Sequence, residues 1–309
     1  MNNNKSFISE KEIKDAIEKS GYLLEQRVAP ILEKKYFMQR NQAFLDSETG
    51  KSREYDINAM GAIRLYKKGY NFIFPILLCE CENNAQPVVF FTEESIISFL
   101  HHYEVKVSGI PVKFLHKDGF IALSEFTGME NFHHYCKGPV ATQYCSFQLK
   151  KDKSSWIAIH TDIQHDTFNT LIKVLEYEIA KHYDGWAPPK QNEKEYINIQ
   201  IYYPLLILQG QLYSAKLKNN RLKLTEINHV QFRKQVSLPQ KSGPEMYQID
   251  VITEKYLPYY LKIIDTEMKK VEKVFLKKKK VVTNTINNII EDAKKIKYKK
   301  KSLREILEF

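Results

Sequence analysis

The sequence predicts an α/β protein: a mixed sheet flanked by helices, then a β-rich C-terminal half and a basic helical tail. Three observations carry that expectation. Apolar residues recur at helical spacing in 9–35 and again in 160–182. Asn71–Glu82 is almost continuously apolar until its last four residues, as in a strand buried on both faces. Strand-like segments then follow one another from Tyr196 to Thr253.

Taken in order, Ser9 followed by Glu12 makes a capping box that opens a helix, and Gly21 divides it from a second helix over Tyr22–Lys35. Pro30 should kink or shorten that second segment. A strand over Tyr36–Leu45 ends in the turn Asp46-Ser47-Glu48-Thr49-Gly50-Lys51. The next, about Arg53–Leu65, alternates Tyr55, Ile57 and Ala59 against Glu54, Asp56 and Asn58. The third is Asn71–Glu82, with Val88–Phe91 as a short extension. Glu93–Tyr103 reads as a helix. Val105–Leu149 mixes short strands and loops. His160–His182 is a helix, and Asp184-Gly185-Trp186-Ala187-Pro188-Pro189 breaks the chain. Tyr196–Leu208, Gln211–Leu217 and Leu222–Ile227 are strands, the last two joined by a turn at Lys218-Asn219-Asn220. Tyr247–Thr253 is a strand, with Thr253 as cap of a following helix, Tyr256–Phe275, which carries Pro258 in its first turn. The breaks place units at residues 1–185, 186–275 and 276–309.

Composition narrows the function classes. The chain has 309 residues, 43% hydrophobic and 27% charged, enough apolar material for a core. No apolar run approaches the roughly 18 residues that span a bilayer, so no membrane is expected. Met1-Asn2-Asn3-Asn4-Lys5 lacks the apolar stretch of a secretory signal. Four cysteines do not make a disulfide framework, and a reducing cytoplasm is the simplest compartment. The net charge of +10 is uneven: Lys262 to the end holds 15 Lys+Arg and 7 Asp+Glu, leaving +2 for everything before it. A tail of this kind suits a polyanion, or is a solvated surface that aids solubility. On the first reading Lys277, Lys278, Lys279, Lys280, Lys299, Lys300 and Lys301 contact nucleic-acid phosphates, and a body truncated after Phe275 still folds.

The pattern that carries chemistry is a helix, a hairpin and a buried strand ending in acids. A carboxylate at the end of an apolar strand is costly to bury unless paired or bound to a metal. Glu80 and Glu82 are two apart and so share a face. If the hairpin strand is a neighbour, Asp56 lies beside Glu80, and the oxygens suit Mg²⁺ or Mn²⁺. The text Gly21-Tyr22-Leu23-Leu24-Glu25, Arg53-Glu54-Tyr55-Asp56, Leu77-Leu78-Cys79-Glu80-Cys81-Glu82 and Pro87-Val88-Val89-Phe90-Phe91 resembles the PD-(D/E)XK nuclease superfamily over about residues 9–103. The resemblance implies a restriction-endonuclease-like fold and a metal-dependent nuclease, with DNA the expected partner and a role in bacterial defence. It implies Asp56 and Glu80 as metal ligands, the Cys81 carbonyl as a third, and Glu25 in support. Glu82 stands where the family has lysine; it would orient or activate water. The missing positive charge would then come from a second metal, Lys51 or Lys106. The alternative is a catalytically inactive nuclease-like module that binds nucleic acid or protein in a homo-oligomer or larger assembly.

Other clusters read more plainly. Cys79 and Cys81 suit packing. His101, His102, His133, His134, Cys136, Cys145, His160 and His165 match no zinc spacing. Asp250 and Glu254 mark a strand-to-helix junction. Trp186 suits a domain edge better than a base-stacking platform.

Overall fold

The computed structural model describes residues 7–297 except 19, 118, 160–161, 185–195 and 240. Among the described residues thirteen strands share one mixed sheet, with helices on both faces.

The N-terminal helices are α1 (Glu10–Glu18) and α2 (Tyr22–Leu32). The capping box forms: the Ser9 hydroxyl and amide both donate to Glu12, at 2.6 and 2.8 Å. Strands β1 (Phe37–Leu45) and β2 (Ser52–Met60) make an antiparallel hairpin whose register skips Asn41, a residue with φ of 48°, opposite Asp56. Two-residue β3 (Ile63–Arg64) leads to β4 (Tyr70–Asn83), which pairs antiparallel with β2 from Ile57↔Cys79 to Met60↔Ile76.

The partner on β4's other side is β11 (Tyr196–Gln209), parallel along the whole strand, and β11 in turn pairs in parallel with β15 (Glu245–Thr253). Strands from both sides of the expected boundary at residues 185–186 thus pair within one sheet. Beyond β4 and β11 the same two chain segments pair again in parallel, as β5 (Val88–Glu93) and β12 (Leu212–Lys218). Gly210 makes the junction. Its φ is 143°, and an added Cβ would stand 2.7 Å from the Asn84 carbonyl.

The remaining strands complete the sheet. β13 (Arg221–Ile227) closes a hairpin with β12 through Asn219 and Asn220, both at positive φ, the turn the sequence asks for. β14 (His229–Val236) joins β15 to β9 (Val140–Leu149), and β9 pairs with β5. β10 (Trp156–Ile159) extends β9, and β6 (Val107–Ile110) lies along the start of β11. β7 (Lys113–His116) and β8 (Gly119–Ala122) form a separate hairpin before the short α3 (Leu123–Thr127).

Strand alternation sorts the core into two layers. Ile73, Leu77, Cys79 and Cys81 of β4 face one layer with α2, α5 (Leu257–Lys277) and α6 (Lys279–Lys297). Phe74, Ile76 and Leu78 face the other, against Phe168, Leu171 and Leu175 of α4 (Asp162–Asp184).

Three local expectations fail for identifiable reasons. Glu93–Tyr103 is not an α-helix: β5 runs to Glu93 and a 3₁₀ turn covers Ser98–Glu104. There the His102 ring bonds the Phe99 carbonyl at 2.7 Å, the acceptor an α-helix would offer to Tyr103. Thr253 does not cap α5; its hydroxyl donates to Asn228 instead. The tail is not detachable either. Val282, Thr285 and Ile286 of α6 are buried in the same layer as Phe275, and Thr285 Oγ1 accepts the Leu115 amide at 3.1 Å.

Candidate metal-binding acidic cluster

The β2–β4 pairing stops at Ile57↔Cys79, and the strands then part. Asp56 fills the fork. Its Oδ2 accepts the Cys81 amide at 2.7 Å, the place a backbone carbonyl of β2 would take in a continued ladder. A strand residue's N–H and C=O point to the same side, so the Cys81 carbonyl is also directed into the fork. Gly21 lies there, and a Cβ on it would be 3.0 Å from the Cys81 oxygen. Glycine thus lets the α1–α2 junction close over the end of β4, where the Asn83 side-chain Nδ2 donates to the Glu18 carbonyl at 3.0 Å.

Glu80 extends from β4 to the Asp56 carboxylate. Burial, then the charge of Asp56 and a hydrogen bond to it, push the Glu80 acid well above the usual range. Burial also raises Asp56, against the Cys81 amide and the Glu80 hydrogen bond, which lower it. Burial and the neighbouring Asp56 charge thus both favour the neutral form of Glu80. Glu82 is raised by burial, opposed by the Thr167 hydroxyl and the Asn84 side chain. Its Oε1 takes the Thr167 hydroxyl from α4, while Oε2 is buried without a protein partner. Glu25 enters from α2; burial and the charge of Asp56 raise it, and Arg40 opposes.

Of the four sequence-expected acids, Asp56 and Glu80 are in direct contact, and Glu82 and Glu25 lie near enough to act on Glu80 through their charge. The expected lysines lie elsewhere. Lys51 is exposed in the β1–β2 turn. Lys106 pairs with Glu245 at 2.7 Å beside Tyr202, while Glu80 lies across from Leu206, four residues further along β11. The lysine run is more remote still. Lys278 and Lys279 sit over the rings of Phe126 and Tyr66, with the Lys278 ammonium also on the Phe126 carbonyl. Tyr66 follows β3, which pairs with Ile73; Glu80 is seven residues on, roughly 20 Å along the strand. Lys277 and Lys280 are exposed at that same distant end, and Lys299, Lys300 and Lys301 lie outside the described residues, as does Trp186.

A second polar cluster joins two of the histidines that match no zinc spacing to an acid that sequence reasoning did not single out. His133, His134 and Glu267 bring their ligand atoms within 4.8 Å of one another in the core. The two imidazoles are stacked, 4.8 Å between centroids at 18°, so their in-plane lone pairs run side by side rather than toward one ion. Both His134 nitrogens are already engaged, Nδ1 with Glu267 at 2.8 Å and Nε2 with Asp250 at 2.9 Å. Burial alone would lower the His134 pKa; Asp250 and Glu267 outweigh it and hold it up at about 10. The group is better explained as an imidazolium held between two carboxylates than as a metal centre. Its one sequence signal was the pair of charged residues on apolar faces, Asp250 within β15 and Glu267 within α5.

No protein-family model, no curated protein and no solved structure matches this chain.

Proposed function

We propose that the chain is a metal-dependent phosphodiesterase acting on nucleic acid, with its site at the β2–β4 fork. The observation that carries the reading is the Asp56–Glu80 contact, two partly buried acids side by side next to an inward-directed carbonyl. The donor set is all oxygen, which fits Mg²⁺ or Mn²⁺. The charge of Arg40, whose guanidinium pairs with Glu33 at 2.7 Å, opposes that of Glu25, and a divalent cation would offset the rest. Asp56, Glu80 and the Cys81 carbonyl would hold it. Such an ion supplies Lewis acidity at a phosphoryl oxygen and a more acidic bound water. Asp56 is fixed for this role by the Cys81 amide. Glu82, with one oxygen on Thr167 and the other without a protein partner, is placed to accept a proton from water. Glu25 adds negative charge from the opposite side of the fork. The resemblance implies the same roles for these residues, with Glu82 in the lysine position.

One observation favours the alternative, a binding module that cuts nothing: neither Lys51 nor Lys106 reaches the cluster to supply the missing cation. The test is incubation of purified protein with plasmid, linear and single-stranded DNA and with RNA, each with Mg²⁺, Mn²⁺ or chelator. Metal-dependent cleavage of any of these supports the enzyme. Metal binding without cleavage supports the module.

A further inference from the structure

Away from the acidic fork, β12, β13, β14, the loop at 137–139 and Ile263 of α5 enclose an open pocket of about 440 Å³. That is the size range of small-molecule sites. Lys137, Lys216, Lys223, His134 and His229 line it, and no carboxylate does. Lys216 leans on Glu94 at 2.8 Å. Lys137 and Lys223 have no ion-pair partner among the described residues, so two uncompensated positive charges flank the concavity.

The pocket's inner wall is built, not incidental. His229 Nε2 is held by Asp250 Oδ1 at 2.7 Å. Asp250 is fully buried, and its other oxygen takes His134 at 2.9 Å and the Tyr260 hydroxyl at 2.6 Å. Behind His134 stands Glu267. A carboxylate bonded by three side chains fixes the His229 ring through Nε2. Fixing a histidine from behind through a buried acid is how binding and catalytic imidazoles are oriented. Beside it the Thr92 and Ser214 hydroxyls, both mostly buried, bond each other at 2.5 Å and add neutral donors. Thr225 and Gln231 add polar groups, and Pro139, Ile227 and Ile263 add apolar ones. Lysines suit phosphate as point charges, and an apolar wall next to them suits a ring.

We propose that this pocket binds a nucleoside phosphate, with Lys137, Lys216 and Lys223 on the phosphate, His229 as an oriented polar contact, and the Pro139–Ile227–Ile263 wall against the base. The site is independent of the acidic cluster and of whether that cluster is catalytic.

The test is calorimetric titration of the full chain with the four ribonucleoside mono- and triphosphates, the matching nucleosides, inorganic phosphate and a single-stranded oligonucleotide. Chelator is present throughout, so that metal-bridged binding at the acidic fork is removed. At least one nucleotide should bind more tightly than about 1 mM, and about ten-fold or more above both its nucleoside and phosphate. The double variant Lys137→Ala/Lys223→Ala should lose about ten-fold or more, since each lost charged contact is worth about that much. Asp56→Asn should bind as wild type does. Both lysines are on the surface, and circular dichroism confirms that the variant is folded. The proposal is overturned if no nucleotide binds in that range, if the nucleoside binds equally well, if the folded double variant is unchanged, or if only the oligonucleotide binds.

Discussion

Asp56 does two jobs, as a ladder acceptor and as a charge, and the right substitution separates them. Asp56→Ala would strand the Cys81 amide and cost about 1–3 kcal/mol by that route alone. Asp56→Asn keeps an acceptor, so it should leave the melting temperature within a few degrees while removing the rise that Mg²⁺ or Mn²⁺ gives the wild type; scanning calorimetry with and without metal reads both. Glu82→Lys should also fold, because it relieves negative charge beside Glu80 at the loss of the Thr167 bond. Around His134 the expectation is different in kind. Removing the imidazolium takes away the cation that two buried carboxylates share, so His134→Ala should cost roughly 3–5 kcal/mol. Its folded pKa, about 10, lies above the ordinary 6.5, so its stabilisation is complete below about pH 6.5 and is lost as pH rises through 10. Urea denaturation between pH 6 and 10 should show wild-type stability falling, and His134→Gln falling less. At this scale the acids were legible, because alternation along one strand puts Glu80 and Glu82 together and the hairpin delivers Asp56. The imidazolium was not, since His134 meets Asp250 and Glu267 across 116 and 133 residues, and no local period encodes such a meeting.

At the scale of elements, long periodic segments were readable and short ones were not. The continuous apolar run of β4, the Asn-Asn hairpin and the amphipathic face of α4 all formed where expected. β14 was passed over, although Val230, Phe232 and Val236 alternate, because charged and amide residues interrupt it. The instructive error is α6. Its lysines drew attention to charge and away from Val282 and Ile286, four apart and buried. Truncation after Phe275 should therefore destabilise or unfold the chain rather than merely weaken nucleic-acid binding. Val282→Ala and Ile286→Ala test this more finely; the isoleucine change should cost about 2–5 kcal/mol, and urea midpoints report it. A destabilisation near zero for Ile286→Ala would show that the tail does not close the core. For the charge itself, Lys277→Ala/Lys280→Ala is the clean variant, since both side chains are exposed. If these lysines touch phosphates, its binding should show a shallower dependence on salt.

For the whole molecule, the sheet's order explains why the site sits where it does. β11, from the second half of the sequence, fills the centre between β4 and β15. The parallel strands β4, β11 and β15 end together, and the fork at the end of β4 is left for Asp56, Glu80 and the α1–α2 junction to close. Sequence reasoning found the parts of the site but divided the chain at 185–186, because a Pro- and Gly-rich break resembles a domain linker whether or not strand pairing later spans it. α5 and α6 carry the lysine run to the opposite end of the sheet, so metal chemistry at the fork has to be judged apart from any contribution of the tail. The central claim is that the Asp56–Glu80 pair binds metal to cut phosphodiesters, and initial cleavage rates test it most directly. Wild type, Asp56→Asn and Glu80→Gln are compared on one DNA substrate in Mg²⁺, in Mn²⁺ and in chelator. The account predicts cleavage by wild type that chelator stops, and a loss of about a hundred-fold or more in each variant; equal rates for wild type and Asp56→Asn would contradict it.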